Sequence, residues 1–435
     1  MEDILAARLQ MAISLGWHII FACIGMAMPF FMAYAEWKWI KTKDPIYLDL
    51  AKSWSKGVAI FFAVGAVSGT LLSFELGLLW PTFMEHAGPI FGMPFSLEGT
   101  AFFVEAIALG VFLYGWDKIS PIAHWISGLL VGISGVMSGI FVVAANGWMN
   151  SPSGFDFING EYTNIDPIAA LFNDAWFTQA LHMTFAAFAS TGFAVAGIHA
   201  IMLLRGKKIR FHKEALKIAL IFGAIAAFAM PITGDIAAKD VAKRQPAKLA
   251  AMEAHYHTTK NAPLLIGGIP DDKTQTVKYG IEIPGGLSFL AHGDFDAEVI
   301  GLDQIPEEER PPTLVVHFAF QIMVGLGTLM MFIGFLYFFM RWRKWDYINN
   351  KWWLRLVAFA TPIGFIALEA GWTVTEVGRQ PWIIYGVMKT EDALTPMPGI
   401  QYSLIMIVVI YSILTLTVIW LMRRHIKFIH EKYNA

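Results

Sequence analysis

Only one cysteine, Cys23, occurs in the 435 residues. That excludes a disulfide framework, an iron–sulfur cluster on four cysteines and covalent haem attachment through CxxCH. Charge is scarce too, at 15% of residues, where a soluble protein carries about 25%. No block of basic residues interleaves with aromatics, so nucleic acid is not an expected partner, and the net charge of −2 says little about any other. The N-terminal stretch MEDILAARLQ lacks a basic n-region, so the first apolar segment is expected to be a retained span rather than a cleaved signal. No apolar run holds the adjacent histidines that a copper-containing oxidase needs. No convincing internal repeat appears, which argues weakly against a transporter built from duplicated bundles.

What the chain has instead is apolar length. Hydrophobic residues make up 56% of it, and the charges are segregated between long apolar runs. This pattern describes an all-α integral membrane protein, a single domain over 1–435. A span needs about 20 apolar residues, and nine stretches qualify: 11–35, 56–80, 97–115, 122–146, 176–204, 215–232, 314–340, 354–375 and 398–422. Basic residues follow span 1 (Lys38, Lys41, Lys43, Lys52, Lys56), span 5 (Arg205, Lys207, Lys208, Arg210, Lys213) and span 7 (Arg341, Arg343, Lys344, Lys351), and end the chain (Arg423, Arg424, Lys427). The loops after spans 2 and 4 hold none. The positive-inside rule then places the N-terminus outside and the C-terminus inside, with the long 233–313 loop outside.

Ionisable groups inside spans are costly and mark function by default. His18 in span 1 and His182 in span 5 each read either as a metal or cofactor ligand or as a histidine bonded to a neighbouring helix. Glu98 and Glu105 in span 3 share a face two helical turns apart, suiting proton relay, a buried cation site or a structural pair. Met323 in span 7, one of 21 methionines, earns no role from spacing alone. Parity puts His18, Glu98, His182, Met323, Asn146 at the end of span 4 and Glu376 at the end of span 8 in one outer layer. Histidine, methionine and carboxylate at one depth suit haem iron better than zinc, whereas magnesium or calcium would want more oxygen ligands.

Seven stretches, in order along essentially the whole chain, carry a resemblance: RLQMAISLGWH (8–18), FGMPFSLEGTAFFVE (91–105), GWDK (115–118), ANGWMN (145–150), GDIAAKDVAKRQPAKLAAMEA (234–254), FQIMVGLG (320–327) and GWTVTEVGRQPW (371–382). With these the chain resembles subunit I of the cytochrome bd-type quinol oxidases, in the short quinol-loop form. The resemblance implies quinol oxidation at the outer face of a prokaryotic cytoplasmic (inner) membrane and four-electron reduction of O2 to water, without pumping. It implies a low-spin haem b on His182 and Met323. His18 and Glu376 then serve a high-spin haem b and a haem d, or a third haem b. Asn146 and Arg379 match positions near these haems, Arg379 beside a propionate. Glu98 and Glu105 match acids supplying protons, and Lys248 and Glu253 match the quinol-binding segment of the 233–313 loop. A second membrane subunit (subunit II) is implied as partner, with room for a small single-span subunit. One departure is plain: Gln321 stands where well-known members carry an arginine beside the low-spin haem, which removes a fixed positive charge. Two readings from other classes stay open on the residues alone, a cytochrome b relaying electrons to a separate reductase and a cation-coupled transporter.

Overall fold

The structure, a computed structural model, describes residues 3–158, 161–207 and 209–434; Lys208 lies outside the described residues. Among these, nine helices are long and apolar enough to cross a membrane. Span 1 is Asp3–Thr42, span 2 Pro45–Leu79, span 3 Pro81–Tyr114 and span 4 Pro121–Asn150. Span 5 is Trp176–Leu204, span 6 Arg210–Arg244 and span 7 Thr313–Trp342. Span 8 is two helices, Lys351–Phe359 and Ile363–Val377, and span 9 is Ile400–Asn434. The starts are written in the sequence. Asp44 and Ser120 each precede a proline, and their side chains accept a hydrogen bond from the first helical turn, satisfying donors a helix leaves open. Asn350 caps span 8 in the same way.

All nine expected spans are present, but several helices run past their apolar windows. Span 3 starts at Pro81, not 97, and carries Pro89 and Pro94 inside it; neighbouring helices make such prolines tolerable in a membrane bundle. Span 6 continues from 232 to Arg244 because TGDIAAKDVAKR is rich in helix formers. Its i,i+4 ion pairs Asp235–Lys239 and Asp240–Arg244 support that last stretch.

Small residues let the spans approach. A Cβ on Gly192 of span 5 would stand 2.5 Å from the Gly223 Cα of span 6, and one on Gly364 of span 8 would stand 2.4 Å from the Ser190 Cα of span 5. Such contacts replace the hydrophobic drive that helices lack in lipid. Between spans 6 and 7 the chain folds over one end of the bundle, here called the loop end. A short helix, Pro246–Met252, starts it; the antiparallel pairs 259–260/298–299, 264–266/281–283 and 269–271/276–278 staple the rest. Ala251 and Met252 pack on Val316 and Ala319 of span 7 and Val374 of span 8.

Candidate functional site

His182, in span 5, is half-buried. Its Nδ1 lies 3.0 Å from the Thr233 hydroxyl of span 6. That hydroxyl donates to the Ala229 and Met230 carbonyls, so it accepts from Nδ1–H and leaves Nε2 with a free lone pair. His18 repeats the arrangement. Its Nδ1 lies 2.7 Å from the Ser68 hydroxyl of span 2, which donates to the Gly65 carbonyl. A histidine whose Nδ1–H is anchored in this way is oriented for metal ligation through Nε2.

Each of these rings, and the Met323 thioether, faces a glycine on the adjacent helix. A Cβ would stand 3.2 Å from His18 Cε1 at Gly69, 3.5 Å from His182 Cε1 at Gly234 and 3.0 Å from Met323 Sδ at Gly371. Three helices thus omit a side chain where a candidate ligand sits.

The last turn of span 8 binds span 4 and the loop together. Glu376 accepts from Asn146 Nδ2 at 2.5 Å on one oxygen and from Arg379 Nη2 at 2.6 Å on the other. Arg379 is 2% exposed, and its Nη1 is buried with no partner, a donor that an anionic group such as a propionate would satisfy. Lys248, from the loop, donates to Asn150 Oδ1 at 2.7 Å and runs its stem over Gly378, where a Cβ would lie 2.9 Å from Lys248 Cγ. Burial, reinforced by the Arg379 guanidinium and opposed by the Glu376 carboxylate, holds the Lys248 amine well below the usual lysine range. Glu253 is 1% exposed with neither carboxylate oxygen hydrogen-bonded. Burial raises its pKa to about 8, and the nearby Leu265 backbone offsets this in part.

Deeper in, Ser138 of span 4 donates to Glu98 at 3.1 Å. Glu105 is buried between Gly25 of span 1 and Gly135 of span 4, whose Cβ atoms would lie 3.8 and 3.5 Å from its Oε1. The structure therefore joins Asn146, Glu376 and Arg379 directly, and Lys248 to Asn146 through Asn150. His18 and His182 are instead tied to spans 2 and 6, and Met323 lies against span 8. The donor set fits haem: two imidazoles with free Nε2, a thioether, an oriented carboxylate and an orphaned guanidinium N–H.

Residues 6–429 match the family of cytochrome bd terminal oxidase subunit I. The chain belongs to that family. A Bacillus subtilis (strain 168) protein assigned as a cytochrome bd menaquinol oxidase subunit I is 36% identical, over 97% of this chain and 96% of its own length. The cytochrome bd ubiquinol oxidase subunit 1 of the same organism is 32% identical, over 98% and 94%. The structure of the bd oxidase from Geobacillus thermodenitrificans superposes with a TM-score of 0.93 at 37% identity, covering 98% of each chain.

Against this family background Gln321 gains a definite contact. Its amide donates to the Leu265 carbonyl and accepts from the Gly267 N–H, both at 3.0 Å. An arginine could only donate there, so this subunit grips its loop by a bond an arginine cannot make. His317 adds a second grip, with its ring nitrogens 2.8 and 3.1 Å from the Met252 and Gly267 carbonyls.

Three further carboxylates inside spans escaped the sequence reading. Glu369 Oε1 is buried without a partner, and its Oε2 would meet a Cβ on Gly16 at 3.0 Å. It precedes Glu376 by seven residues, the spacing that had singled out Glu98 and Glu105, so the signal was available. Glu75 accepts from Gln10 and Ser14 of span 1. Glu36 meets His124 of span 4 at 2.7 Å.

Proposed function

We propose that this chain is the haem-bearing subunit of a quinol:oxygen oxidoreductase in a prokaryotic cytoplasmic membrane, working beside a second membrane subunit. The observation that carries the reading is the matched pair of histidines, His18 and His182. Each donates Nδ1–H to a hydroxyl whose own proton is committed to a backbone carbonyl, which leaves Nε2 available to iron. His182 and Met323 would hold a low-spin haem b. His18 and Glu376 would hold the other two haems, a high-spin b and a haem d or third b. Bound there, the haems supply one-electron relay and the four-electron reduction of O2 to water.

The chain's own residues do the rest. Quinol binds at the loop end, where the buried Lys248 runs its stem over Gly378 at the end of span 8 and Glu253 follows five residues on. With a pKa of about 8, the Glu253 carboxyl can take a quinol proton and release it again near neutral pH. Arg379 would offer its free Nη1–H to a propionate and, with Asn146, fixes the orientation of Glu376. Glu105 and Glu98 hold protons on the path to the oxygen-reducing site. The basic loops at the opposite end support an outside position for the loop end. Quinol protons then leave outside while protons consumed at oxygen come from inside, so charge is separated without a pump.

Replacing Met323 by Leu tests the ligand assignment. The low-spin haem b spectrum should disappear while the other haem bands persist, and an unchanged spectrum would overturn it.

A further inference from the structure

We propose that the buried Glu36–His124 pair takes up the protons consumed in oxygen reduction and passes them to Glu105 and Glu98. The proposal rests on the function given above. Glu36 of span 1 is fully buried and His124 of span 4 nearly so. His124 Nδ1 lies 2.7 Å from Glu36 Oε1, and its Nε2 lies 2.9 Å from the Phe112 carbonyl of span 3. A carbonyl only accepts, so Nε2 carries a proton there, and one more proton lies between Nδ1 and Oε1. Glu36 Oε2 is buried with no partner, an acceptor waiting for a donor.

The same three helices enclose the Glu105 site. Gly25 of span 1 and Gly135 of span 4 flank that carboxyl, and each lies eleven residues, about three helical turns, from its own member of the pair. On span 3, Glu98, Glu105 and Phe112, whose backbone carbonyl meets His124, recur every seven residues at steps of about 10 Å along the axis. Span 4 presents hydroxyls along the way: Ser127 and Ser134 are buried, and Ser138 bonds Glu98. The interval is narrow, with the Phe112 ring against Gly128 and the Phe30 ring against Gly132. On its other side His124 meets Trp116 at 3.9 Å between ring centroids, and Lys52 stands over that ring at 4.9 Å. The pair thus lies at the basic end of the bundle, opposite the loop.

The relay balances. A proton arriving on Glu36 Oε2 adds to the one shared between Nδ1 and Oε1, with the Nε2 proton fixed on the Phe112 carbonyl; one is passed through the hydroxyls and water to the Glu105 carboxylate, and the pair returns to its single shared proton. Four such transfers accompany the four electrons that quinol supplies for each O2 reduced to two waters.

The test uses the assembled complex with Glu36→Gln, Glu36→Asp and His124→Gln. Glutamine can still accept from His124, so a purely structural pair would tolerate Glu36→Gln. The relay predicts unchanged haem spectra and thermal midpoint, but oxygen consumption lowered about tenfold or more with quinol and artificial donor alike. Glu36→Asp should recover most of the rate. Wild-type rates in Glu36→Gln, or Glu36→Asp as slow as Glu36→Gln, would overturn the proposal. If Glu36→Gln fails to assemble, His124→Gln is read in the same way, and loss of the haems there too makes the pair structural. A wild-type complex without haem or oxygen consumption would instead sink the function on which the proposal rests.

Discussion

At the residue scale, the candidate ligands are set by what faces them. Gly69 leaves 3.2 Å between a would-be Cβ and the His18 ring, so Gly69→Ala should push the ring by a few tenths of an ångström. The expected result is an altered high-spin or d-type band with the low-spin band intact, read in the reduced-minus-oxidised spectrum. Glu253 makes a prediction in pH. With a pKa of about 8, the proton-accepting carboxylate is a minor form at pH 7 and half the population at pH 8. Quinol oxidation should therefore rise about fivefold between those values if this transfer limits the rate. Glu253→Gln should flatten the profile and slow quinol turnover, while an artificial donor still supports oxygen consumption. Stability carries the opposite sign. The folded pKa lies above the unfolded one, so this carboxyl's contribution is present below about pH 4 and is lost as pH rises through 8. The candidates His18, His182 and Glu376 were legible, because ionisable groups are conspicuous in apolar runs; Met323 was not, and only the resemblance singled it out. The histidine anchors, Ser68 and Thr233, were not legible either, since a hydroxyl in a span satisfies itself on its own helix and leaves no mark in the pattern.

At the scale of elements, the existence of the nine spans was legible and their ends were not. Hydropathy marks where the chain leaves hydrocarbon, while caps and propensity mark where the helix stops. The two differ wherever a helix stands out of the membrane, as at the ends of spans 3 and 6. Close approach was equally hidden, because a glycine in a span reads the same whether it faces lipid or backbone. Gly192 faces Gly223 with backbone on both sides, so neither can yield. Gly192→Ala should cost on the order of 1–3 kcal/mol and lower the thermal midpoint of the purified complex. Gly88→Ala, where a Cβ would meet nothing within 4 Å, should leave it unchanged.

For the whole molecule, the order of seven motifs carried the family, and the match over residues 6–429 sets aside the relay cytochrome and the transporter. Orientation rests on basic residues alone, and the lone, buried Cys23 makes it simple to test. Lys273→Cys, in the loop, should react with an impermeant thiol reagent in cells whose cytoplasmic membrane is intact. Lys351→Cys, at the start of span 8, should react only after that membrane is opened; the reverse pattern would invert the assignment. The number and kind of haems were never legible, because a porphyrin and a chlorin ask the same of an imidazole.

Span 6 is one unbroken helix from Arg210 to Arg244. It bears Thr233, which anchors His182, and about 16 Å further on it hands the chain to the segment holding Lys248 and Glu253. A helix is stiff over that length, so the loop and the hydrogen bond that orients His182 sit on one lever. Tilting of the loop end would thereby be felt at the imidazole, and with His182 a haem ligand as proposed, the low-spin band would double as a strain gauge for whatever occupies the loop.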